Sequence, residues 1–347
     1  MSPTFRSPLL KRATVALGAL ALTAGLAACG AAEAAVGGAS NGAHPEWKKL
    51  TFVVGEQSDG IKTLASTSGA FKDASYTIKF AKFDYGPPLV AAAGSGDVDL
   101  GMVGSVPPIA GAAKDLGFKV IGLELPESPD KALENIIVPK GSSVRTVADL
   151  RGKKIAVPQG SSAHGLLLNT LKSAGLTTKD VKIVYLDPKS GAAAFDSGKV
   201  DAWSIWNPQG EFAIQKGARV LVPGVPPLDP GSQYYVGSSK DLTDPTRRAA
   251  LTDVLERIGR AYAWGNAHPD QHAQAISTDS GVPLDQVKPT EPTWRFTLSY
   301  VDPTHVAAAQ KLADLFFDAG EIGKRVEFTK VVDNLLTPDY DPTKGLS

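Results

Sequence analysis

The side chains best placed for chemistry stand together in residues 153–172, KKIAVPQGSSAHGLLLNTLK. Ser161, Ser162 and His164 occupy the turn between an expected strand over 154–157 and an expected helix. Pro158 and Gly160 end the strand, and Leu166, Leu167 and Thr170 then return at helical spacing. A serine hydroxyl at a helix start accepts a hydrogen bond from a free backbone N–H of the first turn. The turn holds no acid, no Lys and no Arg. It offers a ligand N–H groups, two hydroxyls, one imidazole and the positive end of a helix dipole. That set suits a small anion held without a counter-charge. An ordinary capped helix after a strand carries the same signature.

Three more strand-to-helix joints share this character: Gln57-Ser58-Asp59, Tyr85-Gly86-Pro87-Pro88 and Gly104-Ser105-Val106-Pro107-Pro108. In an open parallel sheet, ligands bind beyond the carboxyl ends of the strands, where such joints lie. Several helix starts facing one cleft would favour an anion, each by ~0.3–1 kcal/mol or more when shielded from water. A Pro-Pro pair also serves as plain punctuation at a helix start. Trp203 and Trp206 are three apart in an expected strand and so point to opposite faces. One ring can line a cleft while the other packs into a lobe, or both can be core. Tyr234 and Tyr235 likewise offer one ring each way, where the chain crosses back between lobes.

Other candidates carry less. His268 and His272 are four apart, but no third ligand in a matching motif completes a zinc site, and His268-Pro269-Asp270 reads as a helix start. No metal and no cofactor are expected. Arg295 is expected to meet a surface carboxylate, with contact to the ligand as the alternative. There is no Gly-x-Ser-x-Gly elbow, no GKS or GKT phosphate loop, no dinucleotide glycine fingerprint and no His-Glu-x-x-His. Cys29 is the only cysteine, so thiol chemistry is excluded from the body. Catalysis by scattered carboxylates stays open.

The elements that must position these residues alternate. Strands are expected over 50–54, 76–83, 98–103, 120–123, 135–138, 154–157, 182–186, 202–206, 219–222 and 234–237, with helices between most of them. From residue 244 onward the pattern turns helical, over 245–268, 270–279, 304–319 and 323–335. Such alternation gives an α/β protein with mainly parallel sheets covered on both faces. Ala93-Gly94-Ser95-Gly96-Asp97-Val98-Asp99 echoes Phe195-Asp196-Ser197-Gly198-Lys199-Val200-Asp201. Each follows an alanine-rich helix and opens a short strand, as two lobes of similar plan would require. A folded body of about 300 residues suits two lobes.

The chain opens differently. Arg6, Lys11 and Arg12 precede an uncharged, mostly apolar run over 13–28, followed by Cys29. The run is too short and too rich in small residues for a spanning helix and has the layout of a secretory signal over 1–28. Leu26-Ala27-Ala28-Cys29 resembles the lipobox of bacterial lipoproteins, which implies cleavage before Cys29 and lipid on it. Residues 29–46, rich in Ala, Gly, Ser and Asn, read as a flexible tether. With 36 basic and 36 acidic residues in balance, nothing points to nucleic acid.

Three stretches then carry a family resemblance: FDYGPPLVAAAGSGDVDLGMVGSVPPIAGAA (83–113), NIIVPKGSSVRTVADLRGKKIAVPQGSSAHGLLLNTLKSAGL (135–176) and AAFDSGKVDAWSIWNP (193–208). In order and spacing they resemble the aliphatic sulfonate-binding family of ABC importers, near the taurine and nitrate binding proteins. The resemblance implies a periplasmic-binding-protein fold of type II, with lobe 1 over 47–137 and 235–347 and lobe 2 over 138–234. It implies an extracytoplasmic, lipid-anchored monomer that closes on a small anionic organosulfur ligand and delivers it to a membrane permease, without catalysis. Taurine, nitrate, a sulfate ester and a thiamine-precursor pyrimidine are the alternative cargoes. An enzyme or a ligand sensor on the same two-lobe fold is the alternative of another class. Pocket residues carried over are Gln57, Gly86, Pro87, Ser105, Ser161, Ser162, His164 and Trp203, joined by Ser58 and Tyr234 from the joints and the crossing. Ser105 stands where family members often carry Asp, which would make that wall less hostile to anions.

Overall fold

The computed structural model describes residues 44–57 and 60–344. The expected signal, Cys29 with most of its tether, and Ser58 lie outside the described residues. Eleven strands form two sheets within the described residues. The first sheet holds β1 (Thr51–Glu56), β2 (Thr77–Lys82), β3 (Leu100–Val103), β4 (Phe118–Pro126), β10 (Gln233–Ser238) and β11 (Phe296–Ser299), in the order β11-β4-β10-β3-β1-β2. The second holds β5 (Glu134–Val138), β6 (Lys154–Val157), β7 (Lys182–Tyr185), β8 (Ala202–Trp206) and β9 (Arg219–Pro223), in the order β7-β6-β8-β5-β9. Each sheet has a buried apolar cluster on either face, so each lobe is helix, sheet, helix in section.

The sheets are mixed rather than mainly parallel. β1 runs parallel to β2 and β3, and β6 parallel to β7 and β8, because helices cover those crossovers. The strands next to the passages between sheets run antiparallel to their neighbours: β4 and β10 in the first sheet, β5 and β9 in the second. The chain passes out between Pro126 and Glu134 and back between Pro223 and Gln233. The expected lobe boundaries at 137/138 and 234/235 fall inside strands. β5 pairs on both edges within the second sheet, and β10 does so within the first.

The sequence echo has a structural meaning. Gly96 and Gly198 both adopt positive φ, 84° and 67°, after their helices, a conformation that glycine takes without a Cβ clash. Asp99 Oδ2 then accepts from Val53 N at 2.6 Å, and Asp201 Oδ2 from Lys154 N at 2.8 Å. In both lobes an aspartate pins the start of a strand to its parallel neighbour.

Two expectations about the carboxyl end fail. The helix expected over 323–335 is absent except for a single turn at Phe328–Lys330. Val120 N donates to Val331 O, Asp333 N to Val120 O and Leu335 N to Ile121 O, so this stretch continues the edge of β4 beyond the point where β11 ends. Tertiary hydrogen bonding overrides a modest helix propensity there. β11 itself was not expected; it is a short edge strand whose alternation is masked by neighbouring polar residues.

Candidate functional site

A cleft of about 160 Å³ opens between the sheets. Gln57, Gly86 and Gly104 line it from the first sheet's side, Ser161, Ser162 and Trp206 from the second. Both crossings between the sheets contribute, through Glu134 at the start of β5 after one and Asp229 within the other. The sides touch nearby: a Cβ built on Gly104 would lie 2.8 Å from Ser162 Oγ.

The helix α4 (Ser162–Ser173) starts on this wall as the sequence suggests. Ser161 is its cap: Oγ accepts from His164 N at 3.3 Å and donates to Pro158 O at 2.7 Å. Ser162 Oγ donates to Glu134 Oε2 at 2.7 Å. Both hydroxyl protons are therefore committed to protein acceptors. The N–H groups of Ser162 and Ala163 donate to no protein acceptor among the described residues. These two amides, at the positive end of a 12-residue helix, are donors left over for a ligand.

The other helix starts offer fewer donors than their number suggests. The helix Pro107–Ala112 begins with two prolines and the helix Gly86–Ser95 carries two right after Gly86; prolines have no N–H. Gly86 supplies the last amide before the first of them, and a Cβ there would collide with the Pro107 ring. Gln57 Nε2 is spent on Met102 O at 3.0 Å, leaving its carbonyl oxygen as an acceptor.

Of the residues named from sequence, Gln57, Gly86, Ser161 and Ser162 reach the cleft wall. Pro87 is half-buried near Gly160, off the wall. Ser105 is buried and does not line the cleft. His164 turns away into the protein, between Phe316 at 5.0 Å and Tyr185 at 5.4 Å, with Nε2 3.8 Å from Glu321 Oε2. Its Nδ1 accepts from Gly160 N at 3.3 Å, and burial pushes the imidazole down to about 4. Trp203 and Trp206 do face opposite ways, but in the reverse sense to that expected. Trp203 is 1% exposed and packs beside Phe195 under Gly191, whereas Trp206 lines the cleft. Tyr234 is buried against Phe328. Arg295 binds Glu291, a buried acid rather than a surface one, at 2.7 Å. Its neighbours Trp294 and Phe296 point into the cleft, as alternation around it requires.

Sequence reasoning missed an acid pair. Glu134 is 2% exposed, its Oε1 has no hydrogen-bond donor, and its carboxyl pairs with that of Asp229. Asp229 Oδ1 accepts from Gly231 N at 2.9 Å. Burial pushes both carboxyls up, and the neighbouring acid pushes Glu134 further, so Glu134 is the one that keeps a proton. Below the cleft floor, Gln233 Nε2 donates to Glu124 Oε1 at 2.9 Å and Tyr262 OH to Glu124 Oε2 at 2.8 Å. Burial pushes this carboxyl up to about 7. The signal for Glu134 was a charged residue at the head of a short strand that runs into apolar residues, ENIIV; nothing comparable marks Asp229. No group of acids, His and Cys among the described residues could hold a metal ion.

The sequence matches the family described as NMT1/THI5 like over residues 63–272. It is 33% identical over 285 residues to a protein of Escherichia coli (strain K12) that carries the provisional name aliphatic sulfonates-binding protein, covering 79% of this chain and 86% of that one. The fold is similar to the alkanesulfonate-binding protein SsuA from Xanthomonas axonopodis pv. citri bound to MOPS, with a TM-score of 0.75 and 29% identity over 82% of this chain and 98% of the other. It is also similar to the periplasmic aliphatic sulphonate binding protein SsuA from Escherichia coli, with a TM-score of 0.71 and 30% identity over 82% and 92%. The two-lobed α/β architecture is thus the periplasmic-binding-protein fold.

Proposed function

The chain belongs to the NMT1/THI5-like family, and from that membership we propose that it is the solute-binding component of an ABC importer for organic sulfonates. The observation that carries the ligand class is the start of α4, where Ser162 lines the cleft and the amides of Ser162 and Ala163 donate to no protein acceptor among the described residues. A sulfonate has three acceptor oxygens and a spread charge, which N–H groups at a helix start stabilise without a cation. Trp206, Trp294 and Phe296 supply apolar surface for the organic part. The two lobes close over the ligand about the two passages that join them, and the closed form is the one a permease reads.

The same geometry supports binding rather than catalysis. Ser161 donates to Pro158 O, Ser162 donates to Glu134, whose burial keeps it protonated, and His164 is turned away from both hydroxyls, so neither is paired with an imidazole. The only cysteine, Cys29, is assigned to lipid attachment and holds the mature protein at the outer face of the cell membrane. Among the described residues no helix is long and apolar enough to cross a membrane. The protein acts as a monomer.

Titration calorimetry of the mature protein against a panel of sulfonates, nitrate, sulfate esters and aminopyrimidines tests the function. Heat from sulfonates is expected. Silence with every sulfonate, alongside binding of nitrate or a pyrimidine, would move the protein to another branch of the family.

A further inference from the structure

We propose that Tyr185 and Glu321, outside the cleft, form a latch between the lobes that sets ligand affinity without touching the ligand. The inference rests on the binding function proposed above, in which the lobes close over a sulfonate.

Tyr185 ends β7, an edge strand of the second sheet. Glu321 follows the helix Pro303–Asp318, which packs into an apolar cluster of the first sheet through Ala309, Ala313 and Phe316. The Tyr185 hydroxyl donates to Glu321 Oε2 at 2.5 Å. Burial and the adjacent carboxylate push the phenol up, so it stays a donor. The pair stands at the rim of an apolar contact: Leu168, on α4, is buried among the residues of the first sheet's cluster. None of Tyr185, Glu321, Leu168 and Phe316 lines the cleft. The contact continues outward from the cleft along α4, where Gly165 meets Val106 and Leu312. Parting the lobes therefore breaks a hydrogen bond to a carboxylate and wets Leu168 and Phe316, and closure restores both. Tyr185 is 39% exposed, so water competes for its hydroxyl and the bond falls in the lower part of the usual range.

His164 lies behind the latch and makes it sensitive to pH. Phe316 and Glu321 cover its ring from the first sheet's side and Tyr185 from β7. Glu321 and Tyr185 are the titratable groups that face it, and α4 itself contributes no acid. Gly160 N donates to Nδ1, so the neutral ring carries its proton on Nε2, which at 3.8 Å from Glu321 Oε2 makes no hydrogen bond. A second proton, on Nδ1, would set donor against donor at Gly160 N. The closed form thus resists protonation despite Glu321, and burial holds the imidazole down at about 4. When the lobes part, Phe316 and Glu321 leave, and the ring meets water and titrates near its ordinary 6.5. The parted form then binds a proton that the closed form does not. Affinity is full at neutral pH and falls as pH drops below about 6.5.

Calorimetry with propane-1-sulfonate on the mature protein tests this. Tyr185→Phe removes only the hydroxyl and is expected to weaken binding about 3- to 10-fold at pH 7.5, with a melting curve reporting that it is folded. Glu321→Gln, which keeps an acceptor, should lose less affinity than Glu321→Ala. In the unaltered protein His164 should contribute a fall of about 10-fold between pH 7.5 and pH 5.5. His164→Asn, which keeps an acceptor for Gly160 N but does not titrate, should remove that fall; a fall that persists in it overturns the role given to His164. Should this variant not fold, Tyr185→Phe decides alone. Unchanged binding by Tyr185→Phe overturns the latch and leaves the sulfonate function standing. Tighter binding does the same, because the contact would then belong to the parted form. If the whole sulfonate panel is silent, the function falls, and scattering from the ligand-free protein judges the latch: Tyr185→Phe should enlarge the radius of gyration, and an unchanged value overturns it.

Discussion

Gly165 lies within α4, where glycine destabilises a helix by roughly 0.5–1 kcal/mol relative to alanine. Its φ is not positive, so local conformation does not demand glycine. Distance does. A Cβ at this position would lie 2.9 Å from Val106 Cγ2 and 3.6 Å from Leu312 Cδ1, both on the first sheet's side of the cleft. Carbon atoms pack best at about 3.5–4.0 Å, so the new methyl overlaps Val106 by roughly 0.6 Å or more. Overpacking of this kind costs about 1–3 kcal/mol. That cost falls on the form in which the lobes are together, while the gain in helix propensity is present in every folded form. Gly165→Ala should therefore leave the melting temperature of the ligand-free protein unchanged or raised. It should weaken sulfonate binding by about 5- to 150-fold, because 1.4 kcal/mol is tenfold in affinity. Calorimetry measures the affinity and a thermal melt the stability, and small-angle scattering should show a less compact ligand-bound form. Affinity equal to that of the unaltered protein would refute the reasoning. So would equal losses of stability and affinity, which would mean that the contact is not broken when the lobes part.

Two further perturbations separate core from cleft. Trp203→Ala should destabilise the protein by about 3–5 kcal/mol in denaturant unfolding, since the ring is almost fully buried, while Trp206→Ala should cost less stability and more affinity; the opposite ordering would reverse the assignment. Glu124 has its carboxyl raised from 4.5 to about 7 by burial, so the folded form binds a proton that the unfolded form releases. Its contribution to stability is complete below pH 4.5 and is lost as pH rises through about 7, by up to ~3 kcal/mol. Glu124→Gln should flatten the melting profile in that window, and an unaltered slope would count against a buried neutral carboxyl.

The parts of the fold that were legible in the sequence are those set by local pattern. The strand, turn and helix around Ser161 follow from a short apolar run, a glycine with positive φ at Gly160 and a serine cap. The repeated Gly-x-x-Asp announced two lobes of one plan because Asp99 and Asp201 perform the same local task. The opposite orientations of Trp203 and Trp206 follow from strand geometry, but which face meets the cleft depends on how α4 and the helix Pro188–Asp196 cover the sheet. Contacts made at long range were not legible. The stretch 331–335 becomes an edge of β4 only because Val120 and Ile121 offer it backbone partners. Glu134 becomes a proton-holding acid because burial raises its carboxyl and Asp229, far along the chain, arrives beside it and raises it further. His164 looked like part of an anion site from its position in the turn, yet its ring follows the helix's buried face toward Phe316 and Glu321.

The number of helix starts around a cleft is a poor measure of its grip on an anion. Gly86–Ser95 and Pro107–Ala112 point dipoles toward the cleft, but their paired prolines remove the N–H groups that make a dipole useful at contact distance. The short-range work falls to α4, and within α4 to Ser162, which belongs to two groups at once. Its amide is free for a ligand, and its hydroxyl is held by Glu134. Ionisation of Glu134 strengthens that hydroxyl bond, since a carboxylate is the better acceptor. The hydroxyl is then less available to a sulfonate oxygen. One hydrogen bond thus sets the grip at α4: with Glu134 ionised, a head group there depends most on backbone amides alone.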